Sequence, residues 1–510
     1  MTGIVVRALS VYLISLFARQ VNMAFAMARL QRYLLQPYEW FLQQHSADLS
    51  KSVLQEINEI VNGSVAPSLR IISNGFLIFL LAGFLLLIQP LGAVMIAIVF
   101  GTSFWAIDRR VRHHIDEMGR DQRRANRERH QVTREALTGI KEVKVMSLEA
   151  LYLERFFGPS RRLATYQARL QLISEMPRFA LEALTFGGML AFTLWLLWTS
   201  EGQLGAVVPV MGAFAFAALR LMPTAQSLFR DIALMRFGRA ALAGLLEDLA
   251  DAGADRMPEG DPERLTFARD LSFENVSFHY PMTEQAALKN VSIEIEAGTT
   301  VGLMGPSGAG KSTMIDLILG LVRPSSGRIL VDGVAIDQTN RQGWQRNVSF
   351  VPQSIFLFDD TIAANIAHGI TGGEVDRDRV RHAANLAHID EFVQTLPEGY
   401  DSLVGDAGMR LSGGQRQRVG IARALHLGRD VLVFDEATSA LDAKTERNIM
   451  ESIRSFSGTK TLILVSHRLS TLAHCDKIFI LDGGLIEDSG TYSELKARSE
   501  VFQSMRTAAE

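Results

Sequence analysis

Apolar residues in this chain are gathered into long blocks in its first half and short ones in its second. Residues 71–88 (IISNGFLIFLLAGFLLLI) carry no charge, and neither do residues 91–107 (LGAVMIAIVFGTSFWAI), which follow directly after Gln89 and Pro90. Residues 179–198 carry only Glu182, near their start, and residues 204–222 only Arg220, near their end. A helix that crosses a bilayer needs ~20 mostly apolar residues, so each block is a candidate span. A single block of this kind also suits the core helix of a soluble protein. Two pairs, each joined by a very short turn, predict membrane hairpins instead. Residues 4–30 are a weaker fifth candidate, because Arg7, Arg19 and Arg29 have to face an aqueous cavity or snorkel to an interface.

The polar stretches between the blocks give an orientation. Pro90 and the TSEGQ turn at 199–203 are short connections on one side, and the long segment 108–178 lies on the other. That segment opens with DRRVRHHIDEMGRDQRRANRERH, rich in arginine beside a span end, which places it in the cytoplasm. Asp116, Glu117, Asp121 and Glu128 are mixed in, so the pattern predicts a solvated helical stalk and not a nucleic-acid arm. Two amphipathic stretches, 34–57 and 133–156, sit midway between spans. Beyond Met222 the apolar character fades, and residues 245–265, acidic and rich in Gly and Pro, read as a linker. From Leu271 the runs become short and β-rich, as in VLVFDEA and TLILVSH, the pattern of buried strands in an α/β domain.

Composition agrees with two unlike halves. The chain has 510 residues, 48% of them hydrophobic, and a mean hydropathy of +0.13, apolar for a soluble protein and polar for a pure membrane one. A net charge of −3 gives no reason to expect nucleic acid. Cys475 is the only cysteine, which excludes an intrachain disulfide, and its apolar setting predicts a buried structural thiol. The N-terminal region has no small-residue cleavage site of the signal-peptide kind.

The chemistry lies in the second half. GPSGAGKS at 305–312 fits the phosphate-binding pattern G-x-x-x-x-G-K-[ST], with a predicted strand before it and a predicted helix after it. Gly305, Gly308 and Gly310 let backbone N–H groups approach phosphate oxygens, together with those of Ser307 and Thr313, at the positive end of a helix. Lys311 reaches toward the β and γ phosphates, and the Ser312 hydroxyl toward Mg²⁺. VLVFDE at 431–436 is an apolar strand ending in two carboxylates. Asp435 takes the Mg²⁺-supporting role, and Glu436 is placed to polarise an attacking water. A second glycine-rich helix start, LSGGQRQRVGIARAL, has Ser412 as an N-cap type before Gly413 and Gly414. One nucleotide needs one such loop, so the second points to a nucleotide held by another copy.

With these motifs in order, residues 271 to about 502 resemble the nucleotide-binding domain of ABC transporters, and LSGGQ looks like their signature motif. The resemblance implies that Ser412, Gly414 and Gln415 of one subunit complete the ATP site of the other. It implies that Tyr280 stacks on adenine, that Gln353 contacts Mg²⁺ and senses the membrane domain, that Asp442 links the two sites, and that His467 contacts the γ-phosphate. Exporters of the family often carry a Gly-Glu-Arg-Gly-like stretch before the signature; here it is GDAGMR, with Ala407 in place of the arginine. The whole chain resembles an exporter-type half-transporter. The expected organisation is multidomain: an all-α transmembrane domain at 1–245, a linker at 246–268, and an α/β P-loop ATPase domain at 269–505. Short coupling helices are expected within the two amphipathic stretches.

The family usually has six spans and the pattern offers five, so the chain is expected to begin at what is normally the second. The resemblance implies ATP and Mg²⁺ as cofactors, a second copy or a paralogous half-transporter as partner, and an inner-membrane location with the ATPase domain in the cytoplasm. Residues 37–67 are loosely similar to flippases of lipid-linked oligosaccharides, with Arg19 or Arg220 placed to meet a pyrophosphate. The expected cargo is therefore a lipid-linked oligosaccharide, lipid or polysaccharide. Peptide or drug efflux, and an ATPase that regulates a membrane complex without transport, remain open at this stage.

Overall fold

The computed structural model of the chain describes residues 2–88, 90–199, 204–250, 263–281, 283, 285–368, 375–438, 441–466, 468–499 and 502–503. It divides into two units. One is Met1–Gln36 with Gln44–Ala254, and the other is Pro37–Gln43 with Asp255–Glu510.

The first unit is helical. Each apolar block lies within a helix: Thr2–Leu34, Ala66–Ile88, Pro90–Thr138, Glu149–Thr199 and Leu204–Ala250. Among the described residues, Ala8–Leu34 and Asp48–Ile88 are long and apolar enough to cross a membrane. Large side chains such as Phe79, Leu87, Phe186 and Trp198 are exposed along these helices. Apolar surface on that scale asks for a lipid or protein partner. Helices of 49 and 51 residues outrun a hydrocarbon layer of ~30 Å at 1.5 Å per residue. Their polar extensions are laced by ion pairs, Arg155 to Glu135 at 3.0 Å and Arg162 to Glu128, so the arginine-rich stretch is a helical stalk. The connection between them is the short helix Ile140–Val145, opened by Gly139 and closed at Ser147, whose φ is +53°.

Two π-helical turns, Ser52–Glu56 and Val61–Val65, interrupt the approach to Ala66–Ile88. They bracket Ile57 and Ile60, both buried, and Ile57 and Val61 pack with Ala18 of the first helix. Farther along, the fully buried Asp231 accepts from Arg70 at 2.9 Å and from Ser227 at 3.3 Å. A charge inside a helical bundle has to be paired in this way.

The second unit is built on two sheets. Antiparallel β2-β1-β4-β5 comprises Leu288–Glu296, Asp270–Phe278, Ser326–Val331 and Val334–Ala335. The larger sheet has the order β10-β9-β3-β8-β7-β6: Leu485–Gly490, Lys477–Asp482, Thr300–Met304, Thr461–Val465, Val431–Asp435 and Val348–Val351. All its neighbours pair in parallel except β10 with β9. The apolar runs seen in the sequence are buried on both faces. Val431 and Val433 join the core shared with β1–β4, while Leu432 and Phe434 join the core on the opposite face. Trp344, fully buried, donates from Nε1 to the Ile318 carbonyl at 2.6 Å, satisfying the end of the helix Lys311–Ile318. Pro37–Gln43 belongs to this unit although it lies far upstream. It carries the four-residue helix Tyr38–Phe41, and Glu39 Oε1 accepts from the Arg323 N–H at 3.1 Å.

Candidate nucleotide site

Strand order decides which loops meet. β3, β8, β7 and β6 are parallel neighbours in register, with Leu303 opposite Val465, Asp435 opposite Val465, and Val351 opposite Phe434. Their carboxyl ends therefore lie along one edge of the sheet, where α/β proteins bind ligands. The segments leaving that edge carry residues 305–313, 466 and 468, 436–438 and 352–354, with Asp435 ending β7 itself.

The loop after β3 has room only for glycine at two places. A Cβ on Gly305 would come within 2.3 Å of the Leu481 carbonyl oxygen, and Gly310, at φ +105°, would meet Leu288 and Ala287. Pro306, Ser307 and Gly308 form an exposed crown. The helix begins at Lys311, so its first N–H groups and positive end point at the crown, an arrangement suited to phosphate. Lys311 Nζ donates back to the carbonyl oxygens of Gly305 at 2.7 Å and Pro306 at 2.9 Å, which holds the ammonium over the loop. Burial pulls its pKa down, against the upward pull of Glu436 and Asp435. Ser312 is exposed, whereas Thr313 is buried with Oγ1 3.1 Å from the Tyr280 hydroxyl. Tyr280 is thus seated against this helix, its ring edge-on to Phe278 at 4.9 Å.

At the end of β7, burial raises the Asp435 carboxyl, with the Glu436 charge adding to the shift and Lys311 opposing it. Glu436 sits at φ +47°, a left-handed conformation that costs a non-glycine residue ~1–3 kcal/mol and persists only where the surroundings enforce it. Its N–H donates to Val465 O at 3.0 Å, and Gln353 Nε2 donates to its Oε2 at 2.8 Å. Gln353, Lys311, Asp435 and Glu436 therefore form one cluster. The Asp435 carboxylate, the Gln353 amide and the Ser312 hydroxyl are oxygen donors of the kind a hard dication takes, and a dication would favour the charged form of Asp435 that burial and Glu436 oppose.

The second glycine-rich loop is built separately. Ser412 caps the helix Gly413–His426 in a reciprocal box: Gln415 N donates to Ser412 Oγ at 3.3 Å, and Ser412 N to Gln415 Oε1 at 2.8 Å. Gly414 lies in its first turn. Among the described residues, no hydrogen bond joins 412–415 to 305–313 within this chain. Before the signature, Ala407 adopts φ +47° between Gly405 and Gly408, and Arg416 NH1 donates to the carbonyl oxygens of Gly408 and Leu411. Asp442 caps Ala443–Arg454, accepting from Lys444 N and Thr445 N, and a hydrogen bond from the Thr445 side chain, followed by those backbone bonds, holds its pKa below the usual carboxylate range. His467 lies outside the described residues, although both its neighbours are placed. Cys475 is buried, and burial pushes its thiol up to about 12, so it is inert.

Asp316 was not legible as a site residue, since its motif position reads as ordinary helix. It stands one turn beyond Ser312, and the Tyr280 hydroxyl donates to it at 3.5 Å. Burial, with the Asp435 and Glu39 charges, pushes it up to about 6 against the Tyr280 hydrogen bond. A carboxyl whose pKa is raised on folding contributes fully below its ordinary range, and that contribution is lost as pH rises through about 6. Asp316→Asn is therefore expected to melt above the parent at pH 7.5, and that advantage should narrow at pH 5, which lies between the ordinary carboxylate range and about 6. The gap should be about 1–2 kcal/mol after allowance for partial exposure, read as melting of the nucleotide-free protein at the two pH values.

The comparisons agree with this geometry. Residues 288–439 match the family described as ABC transporter, and residues 2–215 match the ABC transporter transmembrane region. A protein from Ralstonia nicotianae called ATP-dependent lipid A-core flippase is 32% identical over 96% of this chain and 82% of its own length. The chain belongs to the ABC transporters. A second relative of the same name, from Cupriavidus pinatubonensis, is 31% identical over 96% of this chain and 83% of its own. Among solved structures, a bacterial Atm1-family ABC exporter with ATP bound superposes with a TM-score of 0.85 at 28% identity, covering 100% of this chain and 88% of that one. As an ABC exporter half-transporter, the chain joins a helical transmembrane domain to an ABC ATPase that binds ATP and couples its hydrolysis to transport. A half-transporter of this kind works as a dimer in the membrane, with its ATPase domain in the cytoplasm.

Proposed function

We propose that this ABC transporter is a homodimeric flippase of the inner membrane that moves a lipid-linked oligosaccharide or a related amphipathic lipid. The observation that carries the reading is the likeness, over nearly the whole chain, to relatives called lipid A-core flippases. The exposed apolar helix faces fit a substrate that enters from lipid. The domain limits are taken as 1–245, 246–268 and 269–505.

In the cycle, Gly305, Ser307, Gly308, Gly310 and Thr313 cradle the phosphates through backbone N–H groups, Lys311 neutralises their charge, and Tyr280 stacks on adenine. Ser312, Gln353 and Asp435 would hold Mg²⁺, which when bound neutralises charge on the β and γ phosphates. Glu436 takes the proton of the attacking water, held by the Gln353 amide that already touches it. His467 contacts the γ-phosphate. Ser412, Gly414 and Gln415 come from the partner chain, and Asp442 links the paired sites. Two features support the two-chain reading: the signature loop is pre-formed by its own capping box, and it makes no hydrogen bond to the P-loop of its own chain among the described residues. ATP drives the change through its greater affinity for the closed dimer.

The test is ATPase activity of the purified chain in liposomes, with Glu436→Gln as the inactive control. Stimulation by a lipid-linked sugar, absent in the variant, is the expected result. Stimulation by peptides or drugs alone would overturn the proposed cargo.

A further inference from the structure

Glu446 lies on the helix Ala443–Arg454, in none of the motifs that bind nucleotide, yet it is buried. Three side chains from two other segments converge on it. Thr438 Oγ1 donates to its Oε1 at 3.0 Å, Thr471 Oγ1 donates to the same oxygen at 3.4 Å, and the Arg468 guanidinium pairs with its Oε2. Both threonines are buried, while the Arg468 side chain is 45% exposed and that of Glu446 only 9%.

The partners are placed beside the reacting groups. Thr438 is two residues after Glu436, on the same turn, and Arg468 directly follows His467. The Glu446 N–H also donates to the Asp442 carbonyl at 2.9 Å, so the capping aspartate and Glu446 share one helical turn. One carboxylate thus ties together the turn that carries Glu436, the residues on either side of His467, and the helix start capped by Asp442. Arg468 N donates to Ser466 Oγ at 2.9 Å, which tightens the same loop on its other side.

Stability alone does not account for this cluster. A pair whose carboxylate is buried while its guanidinium stays half in water is a weak source of folding energy, because desolvation of the acid offsets the attraction, and the best-attested use of such pairs is to fix one arrangement among several. Glu436 needs such a constraint, since its left-handed backbone must be enforced from outside. We propose that Glu446 is a positioning residue for ATP hydrolysis, holding the Glu436 turn and the segment of Ser466 and Arg468 in one register through Thr438 and Arg468. This rests on the assignment of Glu436 and His467 to the reaction.

The test uses the full chain in liposomes. Glu446→Gln keeps shape and the threonine contacts but removes the charge, and it is expected to lower kcat by up to ~10²-fold, the cost of a misplacement of about 1 Å, while KM for ATP stays close to the parent's. Arg468→Met should lose as much, Arg468→Lys should keep most of the activity, and the Glu446→Gln/Arg468→Met double variant should be no worse than either single one. Thr438→Val gives a milder version of the same kcat loss and guards against misfolding of the charge variants. Parental kcat in Glu446→Gln, additive losses in the double variant, or a fall in ATP affinity that tracks a fall in melting temperature would overturn the proposal. Glu436→Gln, measured alongside, separates the two layers. If it keeps turnover, the assignment of the reacting groups fails; if it is inactive while Glu446→Gln is normal, only the positioning role fails.

Discussion

Glu436→Gln is expected to bind ATP and to stop hydrolysing it. The substitution is isosteric, and the amide can still accept from Gln353 Nε2, which donates to this side chain at 2.8 Å. What disappears is the carboxylate placed to take a proton from water at this position. A positioned base contributes ~10²–10⁴-fold, so kcat should fall by that factor. Removing the Glu436 charge also removes its upward pull on Asp435, so nucleotide affinity should hold or rise. Equilibrium binding of labelled ATP beside steady-state turnover reads both quantities, and a variant that turns over at the parental rate would remove Glu436 from the reaction.

Lys311→Ala is expected to fail one step earlier. In the parent the ammonium is held over the loop by the Gly305 and Pro306 carbonyl oxygens and needs little reorganisation to meet the phosphates. Charge-assisted hydrogen bonds of this kind are worth ~1.5–3 kcal/mol each. An ammonium that exchanges those carbonyl partners for two phosphate oxygens makes two such bonds to ATP, and their loss weakens binding by about 10²-fold or more and removes turnover at ordinary nucleotide concentrations. The two variants should differ in kind: Lys311→Ala shows little retained nucleotide after rapid filtration, and Glu436→Gln retains it. Equal retention in both would mean that the lysine does not grip the phosphates.

The strongest signals in the sequence were those with a period or a fixed spacing. Long uncharged blocks became helices, GPSGAGKST became a strand–loop–helix, and VLVFDE ended its strand at the carboxylates as its apolar run implied. Contacts between distant segments left no such trace. The four residues of Tyr38–Phe41 are too few for a helical period; a coupling helix is expected somewhere within 34–57, and only packing singles out Pro37–Gln43 as the part that joins the ATPase unit. The π turns near Ile57 look like ordinary helix in one dimension. The positive φ of Glu436 left no trace in the sequence either: its N–H is held by Val465 of β8 and its carboxylate by Gln353, which lies 83 residues upstream. Glu446 and Arg468, 22 residues apart, match no binding pattern, and their meaning comes from what stands next to them.

The central claim is that each ATP is held by two chains, the P-loop of one and the signature of its partner. It is tested by pairing a Ser412→Cys chain with a Ser307→Cys chain, both in the Glu436→Gln background, and applying a short bifunctional thiol reagent. Cys475 is buried and inert and can stay. With ATP trapped, cross-linked dimers should form rapidly, and without nucleotide they should not. If the ATP-loaded pair stays uncross-linked while each cysteine still reacts with a small thiol reagent, the two-chain site does not exist.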